Sequence, residues 1–541
     1  MPQLQINQGP QDALLYDNSR SYFTNVGYVR TSNFQLELRD VDSQNTPNLG
    51  TTVQFVIPKA ADLLGPCDLV VELKPPKDPV ESKCYAAWVE SVGFAMIERI
   101  TFSVGSHDIE TIYGEQLNII NELMKTDTDR LGTQQILKTG RPAVEFTLNK
   151  NSTNDTSNDD HSLDVDDTST GRVISHNKTL STQNKKLIVP LGLFFTKHPS
   201  QYFPLAAIAG ANDVRIAIKF RTVNELVQLG KLDYKISAAG VIDGDGGSAT
   251  ETDDAANEIV AINPSMPQWT GSVFDTAVLR CHYVHVTGPE ATTLMNKEHV
   301  RLLKLWTPSV HPVQIDKASD KKVLASIDLS FLHPVQELII TIRKQSDLQS
   351  STSGQPKPNE DDMKATGKNY FAYHGSGKMP NLDHWSRRVC QRNDEVGTGL
   401  DTDVAKNTVT VHGFKLTLNG QERHPSLANS GLDRNYLMNR LMPMLHSNTS
   451  HIHTDHHEYE NTFATQHLSE MMDRKEIYVY PFALNPESAN PSGAVNFSKV
   501  SHAKLSIEGT CTANGLYQID VYGVHYNWLQ IKDGRALTSF A

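Results

Sequence analysis

Val214-Arg215-Ile216-Ala217-Ile218-Lys219-Phe220 places an apolar side chain at every second position. Successive side chains of a strand point to opposite faces, so this stretch reads as a strand with one face in a core. The same period of two recurs in Thr52-Val53-Gln54-Phe55-Val56-Ile57 and Arg99-Ile100-Thr101-Phe102-Ser103-Val104. It returns in Phe414-Lys415-Leu416-Thr417-Leu418, Ala503-Lys504-Leu505-Ser506-Ile507 and Tyr517-Gln518-Ile519-Asp520-Val521-Tyr522. Half-buried strands closed by Gly, Pro and Asn turns predict an all-β protein of sandwiches rather than α/β units. Helical periodicity is scarce. Residues 115–124 place Leu117, Ile120 and Leu123/Met124 on one face, and 435–444 form a second candidate.

The strands also repeat in order. One ending in Val104-Gly105-Ser106 is followed by Lys186-Leu187-Ile188-Val189-Pro190, a Pro-bearing loop and Val214-Arg215-Ile216-Ala217-Ile218. One ending in Leu418-Asn419-Gly420 is followed by Lys475-Glu476-Ile477-Tyr478-Val479-Tyr480-Pro481-Phe482, a Pro-bearing loop and Ala503-Lys504-Leu505-Ser506-Ile507. This echo points to two copies of one β-fold. The 541 residues agree, since single cores stop growing near ~250–300 residues. Three polar stretches, 149–184, 237–258 and 346–396, read as surface loops because they lack the apolar area to fold alone.

With 62 acidic against 50 basic residues the net charge is −12, and no dense Lys/Arg run occurs. Direct nucleic-acid binding is therefore not expected. Cys67, Cys84, Cys281, Cys390 and Cys511 are scattered and form no Cys-x-x-Cys pair, against a disulfide scaffold or zinc knuckle. The opening MPQLQINQGPQDALL has no basic patch followed by an apolar stretch, so no signal peptide is expected. The longest apolar run, 203–211, falls short of the ~20 residues of a membrane span.

Seven stretches, in order, resemble the major capsid proteins of the nucleocytoplasmic large DNA viruses (the iridovirus, algal and amoebal giant virus group). They are Ser21-Tyr22-Phe23-Thr24-Asn25-Val26-Gly27-Tyr28, Ala87-Trp88-Val89-Glu90-Ser91-Val92-Gly93 and Tyr113-Gly114-Glu115-Gln116-Leu117-Asn118. Val189-Pro190-Leu191-Gly192-Leu193-Phe194-Phe195-Thr196, His333-Pro334-Val335-Gln336-Glu337 and Leu418-Asn419-Gly420-Gln421-Glu422-Arg423 follow. The strongest is Ile477-Tyr478-Val479-Tyr480-Pro481-Phe482-Ala483-Leu484-Asn485-Pro486, continuing from Pro491 to Ser498. The resemblance implies two tandem eight-stranded jelly-roll β-sandwiches with a few short helices. It divides the chain into an N-terminal arm (1–24), a first jelly roll (25–225), a linker (226–270), a second jelly roll (271–532) and a C-terminal tail (533–541). It implies a homotrimer with pseudo-hexagonal outline, lying in a virion shell beside neighbouring capsomers and minor capsid and penton proteins. Synthesis would be in the host cytoplasm, with an internal membrane beneath the shell as one option. A scaffold or glycan-binding double sandwich and a jelly-roll glycoside hydrolase are the alternatives.

No catalytic residue, cofactor or bound metal is expected. The one His-rich stretch offers His451, His453, His456 and His457 as candidate ligands, after His446 and beside Asp455 and Glu458. Imidazole with carboxylate suits a divalent ion, but no established ligand spacing is met. A polar loop, an inter-subunit contact or pH sensing competes with that reading. Candidate glycosylation sequons stand at Asn151, Asn154, Asn177 and Asn448, with Asn496 set aside because it adjoins a strand. Asp243-Gly244-Asp245-Gly246 lacks the Gly and Glu of a calcium loop. Gly375-Ser376-Gly377-Lys378 lacks the flanking residues of a phosphate loop. Pro486, Pro491 and Gly493 read as turn-setting residues, and the five tryptophans as core or interface anchors.

Overall fold

The computed structural model describes residues 31–74, 84–89, 91–124, 186–231, 272–348, 370–371, 373, 409–423, 432–446, 476–512 and 514–540. The first sandwich is built from β1 (Phe34–Asp42), β2 (Thr52–Ile57), β3 (Leu63–Leu73), β4 (Cys84–Trp88), β5 (Ile97–Val104) and β6 (His107–Tyr113). It continues through helix α1 (Gly114–Met124), β7 (Lys186–Pro190), β8 (Phe203–Pro204), β9 (Val214–Phe220), β10 (Val227–Lys231) and β11 (Phe274–Val286). One sheet runs β1-β11-β3-β7 and the other β2-β9-β5-β6, all antiparallel. The alternation of Val214–Phe220 is realised as Val214, Ile216, Ile218 and Phe220 buried, with the residues between them half-buried. Phe220 meets Phe274 of the opposite sheet at 5.2 Å between ring centroids, edge to face, which marks the shared core.

The second sandwich has β12 (His299–Ile315), β13 (Ala318–Asp328), β14 (Pro334–Lys344), β15 (Val409–Leu418), β16 (Gln421–Glu422) and β17 (Leu432–Asp433). It ends with β18 (Ile477–Pro481), β19 (Val495–Asn496), β20 (Ala503–Cys511), β21 (Gly515–Lys532) and β22 (Arg535–Thr538). Its sheets run β12-β21-β14-β18 and β13-β20-β15-β16. Phe414 and Tyr478 join the two sheets at 4.8 Å. The strand orders match those of the first sandwich position for position. The echo seen in the sequence therefore corresponds strand to strand: β5 to β15, β7 to β18 and β9 to β20.

Local chemistry explains the joints. Asn419 and Gly420 have φ of 51° and 80°, the paired left-handed residues of a tight hairpin, and link β15 to β16. Gly114 opens α1 where no side chain fits, since a Cβ there would lie 2.3 Å from the Ile97 carbonyl oxygen. The second expected helix runs as Arg434–Tyr436, a π-helical turn Leu437–Leu441 and Met442–Leu445.

Three boundaries are corrected. Residues 274–286, placed at the start of the second jelly roll, form β11 between β1 and β3 and bury Leu279, Cys281 and Tyr283 in the first core. Residues 227–231, placed in a linker, pair with β4. The tail from 533 turns back, and Arg535–Thr538 pairs with β21. The first two share a cause, because pairing with a distant strand leaves no local mark; the tail instead forms a local hairpin through Asp533-Gly534, with φ of 51° and 74°. The arm 1–24, the loops 149–184 and 237–258, and most of 346–396 lie outside the described residues.

Candidate functional site

Strand β14 does not alternate. From Val335 to Arg343 every residue is buried, including Gln336, Glu337, Thr341 and Arg343. A strand buried on both faces has a second layer behind it, and its buried charges, Glu337 and Arg343, are paired there. Cross-strand register puts Glu337, Ile339 and Thr341 of β14 on one sheet face with Val524, Tyr522 and Asp520 of β21. That face carries the junction with the first sandwich.

Its centre is a row of alternating charges. Arg343 donates through Nε to Asp520 Oδ2 at 2.9 Å, and its Nη2 binds the same oxygen. Arg343 Nη1 donates to the Tyr370 carbonyl at 3.0 Å and lies 3.7 Å from Glu115 Oε1 on α1. Glu115 Oε1 also accepts from Arg221 Nη2 at 2.6 Å. Arg221 Nη1 reaches the carbonyls of Ala95 and Ile97 at 2.6 and 3.0 Å, and its guanidinium lies 4.3 Å from the Tyr370 ring centroid. The four charged side chains are 1–13% exposed. Burial pushes the Glu115 carboxyl up, but Arg221 and Arg343 outweigh it and hold its pKa below the usual range. Arg221 and Glu115 belong to the first sandwich, Arg343 and Asp520 to the second, so the row ties one to the other.

Aromatic side chains complete the junction. Tyr370 donates to the Glu225 carbonyl at 3.2 Å, and Asn118 Nδ2 donates to Tyr373 Oη at 3.3 Å. Tyr370, Phe371 and Tyr373 are all buried. This corrects the reading of 346–396 as surface loop throughout, because Tyr370, Phe371 and Tyr373 carry enough apolar area to be buried at the junction.

A second buried ion pair lies on the same strand. His446 Nε2 contacts Glu337 Oε2 at 3.1 Å, and its Nδ1 contacts Glu487 Oε1 at 3.3 Å. Burial alone would lower the imidazole pKa, but the two carboxylates raise it to about 9. His446 thus stays charged at neutral pH and offers no switch near pH 6. It is the one residue of the His-rich stretch within the described residues; His451, His453, His456 and His457 lie outside them. So do Asn151, Asn154, Asn177 and Asn448. Among the described residues no group of three or more His, Cys, Asp or Glu is arranged to hold a metal. Asn496 serves the backbone, accepting from the Ser498 amide at 3.0 Å at the start of a short 3-10 turn. Glu110, unremarked in the sequence, is buried where its Oε2 accepts the Phe194 amide at 2.8 Å, and burial raises its pKa to about 7.

Among the described residues, two groups of exposed apolar side chains share a strand or register position. Edge strand β1 exposes Phe34, Leu36 and Leu38 at 57, 62 and 62%, one ridge at period two. On the other sandwich Val300 and Leu537 flank Gln530 in register, next to the Leu302–Trp528 pair; Val300, Trp528 and Leu537 are exposed. Of the other tryptophans, Trp88 and Trp306 are buried, while Trp269 and Trp385 lie outside the described residues. No helix among the described residues is long and apolar enough to cross a membrane.

Comparison with known proteins agrees with this architecture. Residues 21–268 match the family model described as the major capsid protein N-terminus. The major capsid protein of Phaeocystis pouchetii virus is 24% identical over 98% of this chain and 97% of its own. That of Pyramimonas orientalis virus is 22% identical over 98% and 96%. Among solved structures, PBCV-1 VP54 superposes with a TM-score of 0.59 at 16% identity, covering 96% of this chain and 100% of that one. The Faustovirus major capsid protein superposes with a TM-score of 0.52 at 12% identity, over 95% and 93%. By family model, relatives and fold together, the chain resembles the double jelly-roll major capsid proteins of large DNA viruses, with residues 21–268 matching the model of their N-terminal part.

Proposed function

We propose that this chain is the major capsid protein of a large DNA virus, a shell subunit without catalytic activity. Three copies close into a capsomer, and capsomers tile an icosahedral shell. The observation that carries this reading is the charged junction between two sandwiches of identical strand order. A chain of two like bodies locked together gives six like bodies under threefold symmetry, and six near-equivalent lobes pack as a hexagon. The exposed ridge of β1 and the Trp528 face supply apolar surface for contact between copies. We divide the rolls between Val286 and His299. Neighbouring capsomers and minor capsid and penton proteins are the partners, and the virion is the location, after synthesis in the host cytoplasm.

The test is the solution mass of the purified protein at neutral pH. One chain is 60.1 kDa. A single species of three times that mass, stable on dilution, supports a capsomer. A monomer that persists at high concentration overturns it.

A further inference from the structure

Cys67 on β3 and Cys281 on β11 are 214 residues apart in sequence yet stand directly opposite each other in the antiparallel register. Their sulfurs are 3.7 Å apart, and both residues are buried at 1% exposure or less. Opposed Cα atoms of an antiparallel pair are ~4.5 or ~5.5 Å apart. Both values fall within the ~4.4–6.8 Å that a disulfide spans. The bond can therefore form by side-chain rotation with a small strand adjustment, and the ladder is already irregular between Cys281 and Tyr283. Burial pushes the Cys67 thiol well above its ordinary pKa, so the folded pair is protected from solvent-borne reagents.

We propose that Cys67 and Cys281 are a redox modification site, a buried dithiol that a small disulfide oxidant converts into a cross-strand disulfide when the first sandwich opens or folds. The Cys67 thiolate attacks one oxidant sulfur and releases the first oxidant thiol. The Cys281 thiolate then attacks Cys67 Sγ, forms the Cys67–Cys281 bond and releases the second thiol. Two protein thiols lose two electrons, the oxidant gains them, and the two thiol protons end on the two released thiols. The bond joins two neighbouring strands of one sheet and closes a loop of 214 residues in the unfolded chain, where loop-closure stabilisation is large.

The experiment uses the full-length protein, reduced, desalted and incubated with oxidised glutathione at 25 °C and again a few degrees below its thermal midpoint. Intact mass, denaturing alkylation and peptide mapping locate the bond. At the higher temperature we expect a loss of two mass units, a linked peptide joining Cys67 to Cys281, and a midpoint raised by on the order of 5–10 °C. Dithiothreitol reverses all three, and Cys281→Ser shows neither the linked peptide nor the rise. At 25 °C the pair stays reduced. The proposal is overturned if both cysteines remain alkylatable after oxidation, if Cys67 stops at a glutathione adduct, or if the linked protein melts no higher. The wild-type mapping decides the matter even if the serine variant does not fold.

Discussion

Replacing Arg343 by leucine tests whether the charged row holds the two sandwiches together. The substitution removes the guanidinium and leaves a shorter apolar side chain on the buried strand. Asp520, 1% exposed, is left with Gln518 Nε2 at 2.8 Å as its remaining partner. The Tyr370 carbonyl loses the donor at 3.0 Å. Glu115 keeps Arg221 at 2.6 Å and suffers less. Removing one partner of a buried pair costs about 3–5 kcal/mol, because the remaining charge is neither solvated nor paired. For a unit of this size that corresponds to a fall of roughly 10 °C in unfolding midpoint. Arg343→Leu combined with Asp520→Leu removes both charges and should regain most of the loss, since apolar replacement of a whole buried pair is often near neutral. Calorimetry at pH 7 on wild type, both single variants and the double variant closes the cycle. A single variant within about 1 kcal/mol of wild type would refute the reasoning. So would a double variant no better than the worse single one.

Glu110→Gln should make stability less dependent on pH. The folded state holds the Glu110 proton up to about pH 7 against an ordinary 4.5, so its contribution is full below about pH 4.5 and lost as pH rises through 7. The neutral amide can still accept the Phe194 amide and should remove up to about 3 kcal/mol of that slope, read from urea unfolding at pH 5 and 8. His446→Leu strands Glu337 in the interior and should cost about 3–5 kcal/mol at pH 7. The His446 contribution is full below about pH 6.5 and lost as pH rises through about 9, so the gap to wild type should narrow above pH 9. Gly114→Ala drives a Cβ against the Phe94 and Ile97 carbonyls and should cost about 1–3 kcal/mol in thermal unfolding.

How much of this was legible depended on whether the signal is local. Val214–Phe220 and Ala503–Cys511 alternate because one face meets a core, and that pattern needs no partner to be seen. Strand β14 hid its role, because burial on both faces erases alternation and leaves Glu337 and Arg343 looking like surface residues. Phe274–Val286 looked like the start of the second roll because its partners, β1 and β3, lie far back in the sequence. The pairing of Cys67 with Cys281, and the burial of Tyr370 and Tyr373 inside a polar stretch, likewise arise from contacts between distant segments. The family resemblance supplied the architecture that local pattern left open, yet it carried no information about the junction.

Electron microscopy of the purified oligomer in face-on views tests the central claim most directly. Two like sandwiches fixed rigidly in each of three chains predict averages with six lobes of similar size in a near-hexagonal outline. Three-lobed averages, or paired lobes whose separation varies from particle to particle, would contradict the account.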